Sequence, residues 1–173
     1  DPELGVPDAE ARVRPVGDEG VLALVCDSTN VFNPEPSGSE GSVRDGLLQV
    51  VREATGRVVV TTFASNAARL ATLGDVARKS GRTLAVAGRS LDRIIEVARS
   101  CGYLTDFPET VDWDAAMRLP RNRVMIIATG GQGEPRAALA RIAEGNHPIK
   151  LERGDRVVYS SKQIPGNEIA IGR

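Results

Sequence analysis

Four β-branched, apolar runs recur beyond residue 56: Arg57 to Thr62, Thr83 to Ala87, Val124 to Ala128 and Arg156 to Ser160. The first three are followed by helical patterns. After the first, Leu70, Leu73, Val76 and Ala77 share a face up to Gly81. After the second, Leu91, Ile94, Ile95, Ala98 and Cys101 do so up to Gly102, and Arg136 to Glu144 follows the third. Parallel strands need long crossovers, and each crossover helix must bury its apolar stripe. The alternation therefore predicts an α/β fold with a parallel β-sheet and helices on both faces.

Other segments frame this core. Val43, Leu47, Val50, Val51 and Ala54 predict an amphipathic helix over Glu40 to Ala54, ended by Gly56. Asp112 to Pro120 reads as a short helix between the third and fourth units, and Ser161 to Glu168 as the start of a last one. Ser65 and Ser90 stand where N-caps belong. Near the N-terminus, Val21 to Cys26 suits a buried strand, whereas Asp1 to Glu19, with Pro2, Pro7 and Pro15 and no sustained period, reads as a tail or a crossing segment. The Pro/Gly/Ser-rich stretch Asn33 to Ser39 marks a boundary, giving segments 1–38 and 39–173.

In a parallel sheet, ligands gather where strands end. The loops Phe63 to Asn66, Gly88 to Ser90, Thr129 to Glu134 and Ser161 to Asn167 should then line one edge. Thr129-Gly130-Gly131-Gln132-Gly133-Glu134-Pro135 joins a buried strand to a helix, with Pro135 suited to the first helical position. Its free N–H groups suit an anion, and a plain tight turn explains the glycines equally well. Arg89, Gln132 and Lys162 are donors suited to phosphate or base edges, and Phe63 is placed to stack one base. Asp27, at the end of the first apolar run, is either a working acid or a turn cap. The glycine spacing is neither the dinucleotide fingerprint nor a P-loop.

Composition narrows the chemistry. With 22 Lys and Arg against 23 Asp and Glu, the net charge of −1 gives no global argument for a polyanion or membrane surface. His147 is the single histidine, so a histidine-rich zinc centre cannot be built from this chain. Cys26 and Cys101 read as buried free thiols. No apolar run has the length of a membrane span, so a cytoplasmic protein is the default expectation. The first residue is Asp1, which suggests a fragment or a processed product.

Five motifs occur in order: Asp27-Ser28-Thr29-Asn30, Thr61-Thr62-Phe63-Ala64-Ser65-Asn66, Gly88-Arg89-Ser90, Thr129 to Pro135, and Ile164-Pro165-Gly166-Asn167-Glu168. Together they resemble ribonuclease J, of the β-CASP branch of the metallo-β-lactamase superfamily. The resemblance implies a Rossmann-like β-CASP domain at 39–173, and a short N-terminal piece of the metallo-β-lactamase domain at 1–38. It also implies a parent enzyme that is a metal-dependent ribonuclease, acting 5′ to 3′ from a monophosphorylated RNA end and also internally. One or two zinc ions would activate water there.

By the same resemblance Asp27 supports the metal site, and Phe63, Ser65, Asn66, Arg89 and Gln132 are candidate RNA contacts. The family's His-x-His-x-Asp-His cluster and its later motif histidines are not in the sequence. The segment is thus expected to bind no metal, to be inactive alone, and to cap the catalytic site and shape the RNA channel. The expected partners are RNA, the remaining lactamase-type domain and, as a further candidate, a second copy of the chain. Two other readings are a non-catalytic α/β interaction module and a small-molecule nucleotide binder.

Overall fold

A computed structural model describes residues 10–25, 31, 32, 34 and 38–172. The chain divides into two compact units, 1–43 and 44–173.

The first unit holds α1 (Glu10–Glu19) and the start of α2 (Glu40–Glu53). The expected tail is thus a helix in its second half, with Pro15 inside it. In so short a helix that proline removes one backbone bond, which three prolines and dense charge had suggested would be prohibitive. Val21 to Val25 is not the expected strand, and Leu22, Leu24 and Val25 are exposed. A strand exists only with a ladder partner, and no described residue pairs with this run. Cys26 and the motif Asp27-Ser28-Thr29-Asn30 lie outside the described residues.

The second unit carries the sheet: β1 (Val58–Thr61), β2 (Thr83–Ala87), β3 (Thr110–Val111), β4 (Val124–Ala128) and β5 (Arg156–Tyr159). The strands are all parallel, in the order β3-β2-β4-β1-β5. Residues in register form rows across it; one runs Val111, Ala85, Ile126, Val59, Val157. The side chains of Ala85, Ile126 and Val59 enter a core with Ala116 of α5 (Trp113–Arg118) and Leu139 and Ile142 of α6 (Ala138–Ala143). Alternation along each strand turns Val58, Val60, Leu84 and Met125 to the other face, which explains why β1 and β4 are buried along their whole length. On β2 lie α3 (Ala67–Lys79) and α4 (Arg89–Ser100), which bury Leu70, Leu73 and Val76, and Leu91 and Ile95 respectively. The chain ends on a one-turn helix, α7 (Glu168–Ile171).

Several element ends differ from the sequence reading. Asn66, and not Ser65, caps α3, its side chain accepting the Arg69 N–H at 3.0 Å. Gly88, and not Ser90, precedes α4, with no side-chain cap. Pro135 lies in a turn, and α6 begins at Ala138, where Thr129 Oγ1 accepts the free N–H at 3.1 Å. The last helix starts only at Glu168, after a turn through Pro165-Gly166. Cys101 is exposed, because α4 ends at Ser100 and the cysteine leaves the helical register.

The opposite, N-terminal edge of the sheet is tied by buried charge. The Arg82 guanidinium donates to the carbonyls of Gly56 (2.8 Å), Val124 (3.1 Å), Val51 (3.1 Å) and Ala54 (2.6 Å). Asp155 meets Arg121 at 2.7 Å and accepts the Arg57 N–H at 2.7 Å. These charges are consumed internally.

Candidate nucleic-acid interface

β1 and β4 are neighbours whose chains leave in opposite directions, β1 through α3 toward β2 and β4 through α6 toward β5. In such sheets that arrangement marks the usual ligand position, outside the C-terminal strand ends. The loop after β1 presents Phe63, 45% exposed, then exposed Ser65 and half-buried Asn66. Asn66 is engaged as the α3 cap, while Phe63 and Ser65 face solvent.

The loop after β4 is shaped by its glycines and closed on itself. A Cβ on Gly131 would stand 2.8 Å from Ser161 Oγ and 3.2 Å from Thr61 Oγ1, so a larger residue would have to displace the serine hydroxyl that joins the β4 and β5 loops. Gln132, 6% exposed, then bridges them. Its Nε2 donates to Lys162 O at 2.8 Å and Ser161 Oγ at 3.3 Å, and its Oε1 accepts from the Ile164 N–H and Asn167 Nδ2, both at 3.2 Å. The Gln132 backbone N–H is given to the Glu134 carboxylate at 3.0 Å. The turn that suggested an anion cradle therefore supplies its own anion, and the Gln132 side chain is a latch between loops. Arg69 reinforces that latch by donating to Ser160 O at 3.0 Å, which fixes the end of β5 to α3.

Arg89 stands apart from this cluster. It is exposed at the start of α4 and lines a cavity with Thr129, Arg136, Arg141, Trp113 and His147. Thus the β4 loop serves two places: Gln132 turns toward β5, and Thr129 turns toward β2. The sequence reading had placed Gln132, Phe63, Ser65, Asn66 and Arg89 on one edge, which holds at the level of the loops. That reading includes the Ser161 to Asn167 loop but neither the bonds of Ser161 and Asn167 to Gln132 nor the place of Arg136 and Arg141, since contacts between loops separated by dozens of residues leave no mark on local periodicity.

His147 is 4% exposed, and its Nδ1 accepts the Ile149 N–H at 3.2 Å. Burial, and then the fields of Arg141 and Lys150, hold its pKa below the ordinary value, so the ring stays neutral. No group of three or more His, Cys, Asp or Glu residues among those described could hold a metal ion. The described donor set does not fit a zinc centre. None of the described helices is long and apolar enough to cross a membrane.

With the fold and this edge in place, relatives are informative. A family model for the ribonuclease J β-CASP domain matches residues 55–173. The chain is 43% identical over 172 residues to a protein named ribonuclease J from Sinorhizobium meliloti, covering 99% of the chain and 30% of that relative. It is 45% identical over 163 residues to one of the same name from Synechocystis sp., covering 92% of the chain and 25% of the relative. A third, from Thermus thermophilus, is 40% identical over 164 residues, covering 94% and 29%. The chain spans less than a third of the length of these relatives. Its five-stranded parallel sheet and its match over residues 55–173 agree, and the chain belongs to the ribonuclease J family through its β-CASP domain.

Proposed function

We propose that this chain is the RNA-guiding part of a cytoplasmic, metal-dependent ribonuclease that acts 5′ to 3′ from a monophosphorylated end and also cuts internally. The observation that carries the reading is the exposed Phe63 beside the ends of the neighbouring strands β1 and β4, whose chains leave in opposite directions. Phe63 stacks a base, Ser65 and Asn66 approach the backbone, Lys162 supplies positive charge on the same side, and Arg89 meets the RNA farther along the strand-end edge. Gln132 acts by holding the β4 and β5 loops together.

Zinc and the attacking water belong to parts of the parent enzyme beyond this chain, with Asp27 supporting them from nearby. The exposed Leu22, Leu24 and Val25 then pair with the remaining lactamase-type domain, whose strands would give that run the ladder it lacks here. On this reading the chain alone binds RNA and cuts none.

The test is binding of a 5′-monophosphorylated oligoribonucleotide to the chain and to Phe63→Ala at two salt concentrations. Salt-sensitive binding, weakened by about five- to a hundredfold in Phe63→Ala, is expected from the loss of one stacked base. Equal affinity for both proteins would remove RNA from the Phe63 loop. Zinc-dependent cleavage by the pure chain would overturn the assignment of catalysis to the missing domain.

A further inference from the structure

The cavity between the β2–α4 turn and α6 has a volume of about 540 Å³ and a lining unlike that of the Gln132 latch. Three guanidinium groups reach it from separate elements: Arg89 opens α4, Arg136 lies in the turn before α6, and Arg141 is on α6. Arg89 and Arg136 are exposed and have no hydrogen-bond or ion-pair partner among the described residues. Arg141 gives one N–H to Asn146 O at 3.3 Å. Asp92 is the one carboxylate on the lining, so three guanidinium groups face a single acid.

The other wall is aromatic and fixed from behind. Trp113 and His147 have ring centroids 4.5 Å apart at 54°. Trp113 Nε1 donates to Val86 O at 2.6 Å. His147 Nδ1 accepts the Ile149 N–H, which puts the proton of the neutral ring on Nε2, a donor with no partner among the described residues. Gly88 makes the enclosure possible, since a Cβ there would stand 2.8 Å from Thr129 Cγ2. Unpaired arginine forks beside a rigid aromatic wall match a ligand with a phosphate at one end and a planar ring at the other. The volume is more than a bare anion fills.

We propose that this cavity binds one phosphate-bearing nucleotide, with the phosphate among Arg89, Arg136 and Arg141 and the base against Trp113. The site goes beyond the RNA-guiding reading, and its defining residues Arg136, Arg141, Trp113 and His147 are separate from the Phe63 loop. Its occupant is either a free mononucleotide or one unit of an RNA chain.

Trp113 is the sole tryptophan, so its emission reports on the cavity. The chain is titrated with AMP, adenosine, inorganic phosphate and a 5′-phosphorylated trinucleotide, and Arg136→Gln, Arg141→Gln and Phe63→Ala are titrated in parallel. AMP or the trinucleotide should give a saturable change that adenosine and phosphate give only at far higher concentration. Arg136→Gln should weaken it by about tenfold or more, as expected for a lost charged fork. Saturation by AMP identifies a free nucleotide, and saturation by the trinucleotide alone identifies a unit of RNA. Arg136 is exposed, so its variant should fold, and unchanged circular dichroism checks this. Silence to both ligands, or wild-type affinity in both arginine variants, overturns the proposal. Phe63→Ala should leave AMP affinity unchanged, so the RNA-guiding reading can fail without this one.

Discussion

The Gln132 side chain donates to the Lys162 carbonyl at 2.8 Å across the gap between the β4 and β5 loops, and its own carbonyl oxygen accepts the Ile164 N–H at 3.2 Å. One buried amide thus sets the spacing of two strand-end loops 30 residues apart in sequence. Gln132→Ala removes four hydrogen bonds and strands the Ile164 N–H in a partly buried place. We expect the β5 loop to loosen and the chain to lose about 1–3 kcal/mol in urea unfolding. Amide exchange at Ile164 should rise sharply while exchange in β1 and β4 stays slow. Unchanged Ile164 protection would mean that the loop is held by other contacts.

At the opposite edge, Arg82 donates to four backbone carbonyls, and its pKa is pushed down by burial and then by Arg156. Those carbonyls come from the end of α2, the approach to β1 and the start of β4, so one side chain joins three elements. Arg82→Met should cost about 3 kcal/mol or more, read as a lower urea midpoint. Arg82→Lys should recover only part of this, because an ammonium lacks the five-donor fork. Full recovery by lysine would show that charge, and not fork geometry, holds this edge.

Gly88 sits at φ +143° with its Cα facing Thr129, where a Cβ would lie 2.8 Å from Cγ2 and 2.9 Å from Oγ1. Gly88→Ala combines backbone strain with a clash, for an expected loss of roughly 1–3 kcal/mol. Adding Thr129→Ser removes the methyl but keeps the hydroxyl that caps Ala138. The double variant should regain part of the thermal stability and not all of it, since the φ strain remains. Additive losses would place the cost in the backbone alone.

The centre of the sheet was legible because β1 and β4 are buried on both faces, so Val124 to Ala128 and Val58 to Thr61 show as unbroken runs of β-branched and apolar residues. β3 was not, because two residues at an edge carry no period. Helix interiors followed from Leu70, Leu73 and Val76, whereas their first turns did not. Asn66 and Ser65 are both good caps by type, and only the Arg69 N–H decides between them. The site was legible as a set of loops and opaque in its wiring. Nothing local to Gln132 announces that Lys162, Ile164 and Asn167 will satisfy it, or that Arg136 and Arg141 will share a cavity with Arg89.

His147 makes the fold sensitive to mild acid. Its pKa is depressed in the folded chain, by burial first and then by Arg141 and Lys150, from an ordinary value of 6.5. The unfolded chain therefore binds the proton more readily, so the stabilising effect of a neutral ring is complete above pH 6.5 and declines as pH falls below it toward the folded pKa. Protonation would also put a proton on Nδ1, where the Ile149 N–H is accepted. Asp155 loses stability in the same direction only in stronger acid, below its ordinary 3.8: burial would raise its carboxyl, but the Glu152 N–H, Arg121 and the Arg57 N–H outweigh this and lower it. With a single histidine in the sequence, a fall in stability through the window just below pH 6.5 belongs to His147, since Asp92, whose pKa burial raises, changes stability in the opposite direction as it takes up its proton. Urea unfolding should show stability falling through that window by up to about 1.4 kcal/mol per pH unit. His147→Asn, whose Oδ1 can still accept the Ile149 N–H, should be less stable at pH 7.5 and flat across the same window. Parallel profiles for the two proteins would mean that His147 titrates alike folded and unfolded, and that the buried ring has no part in the acid response.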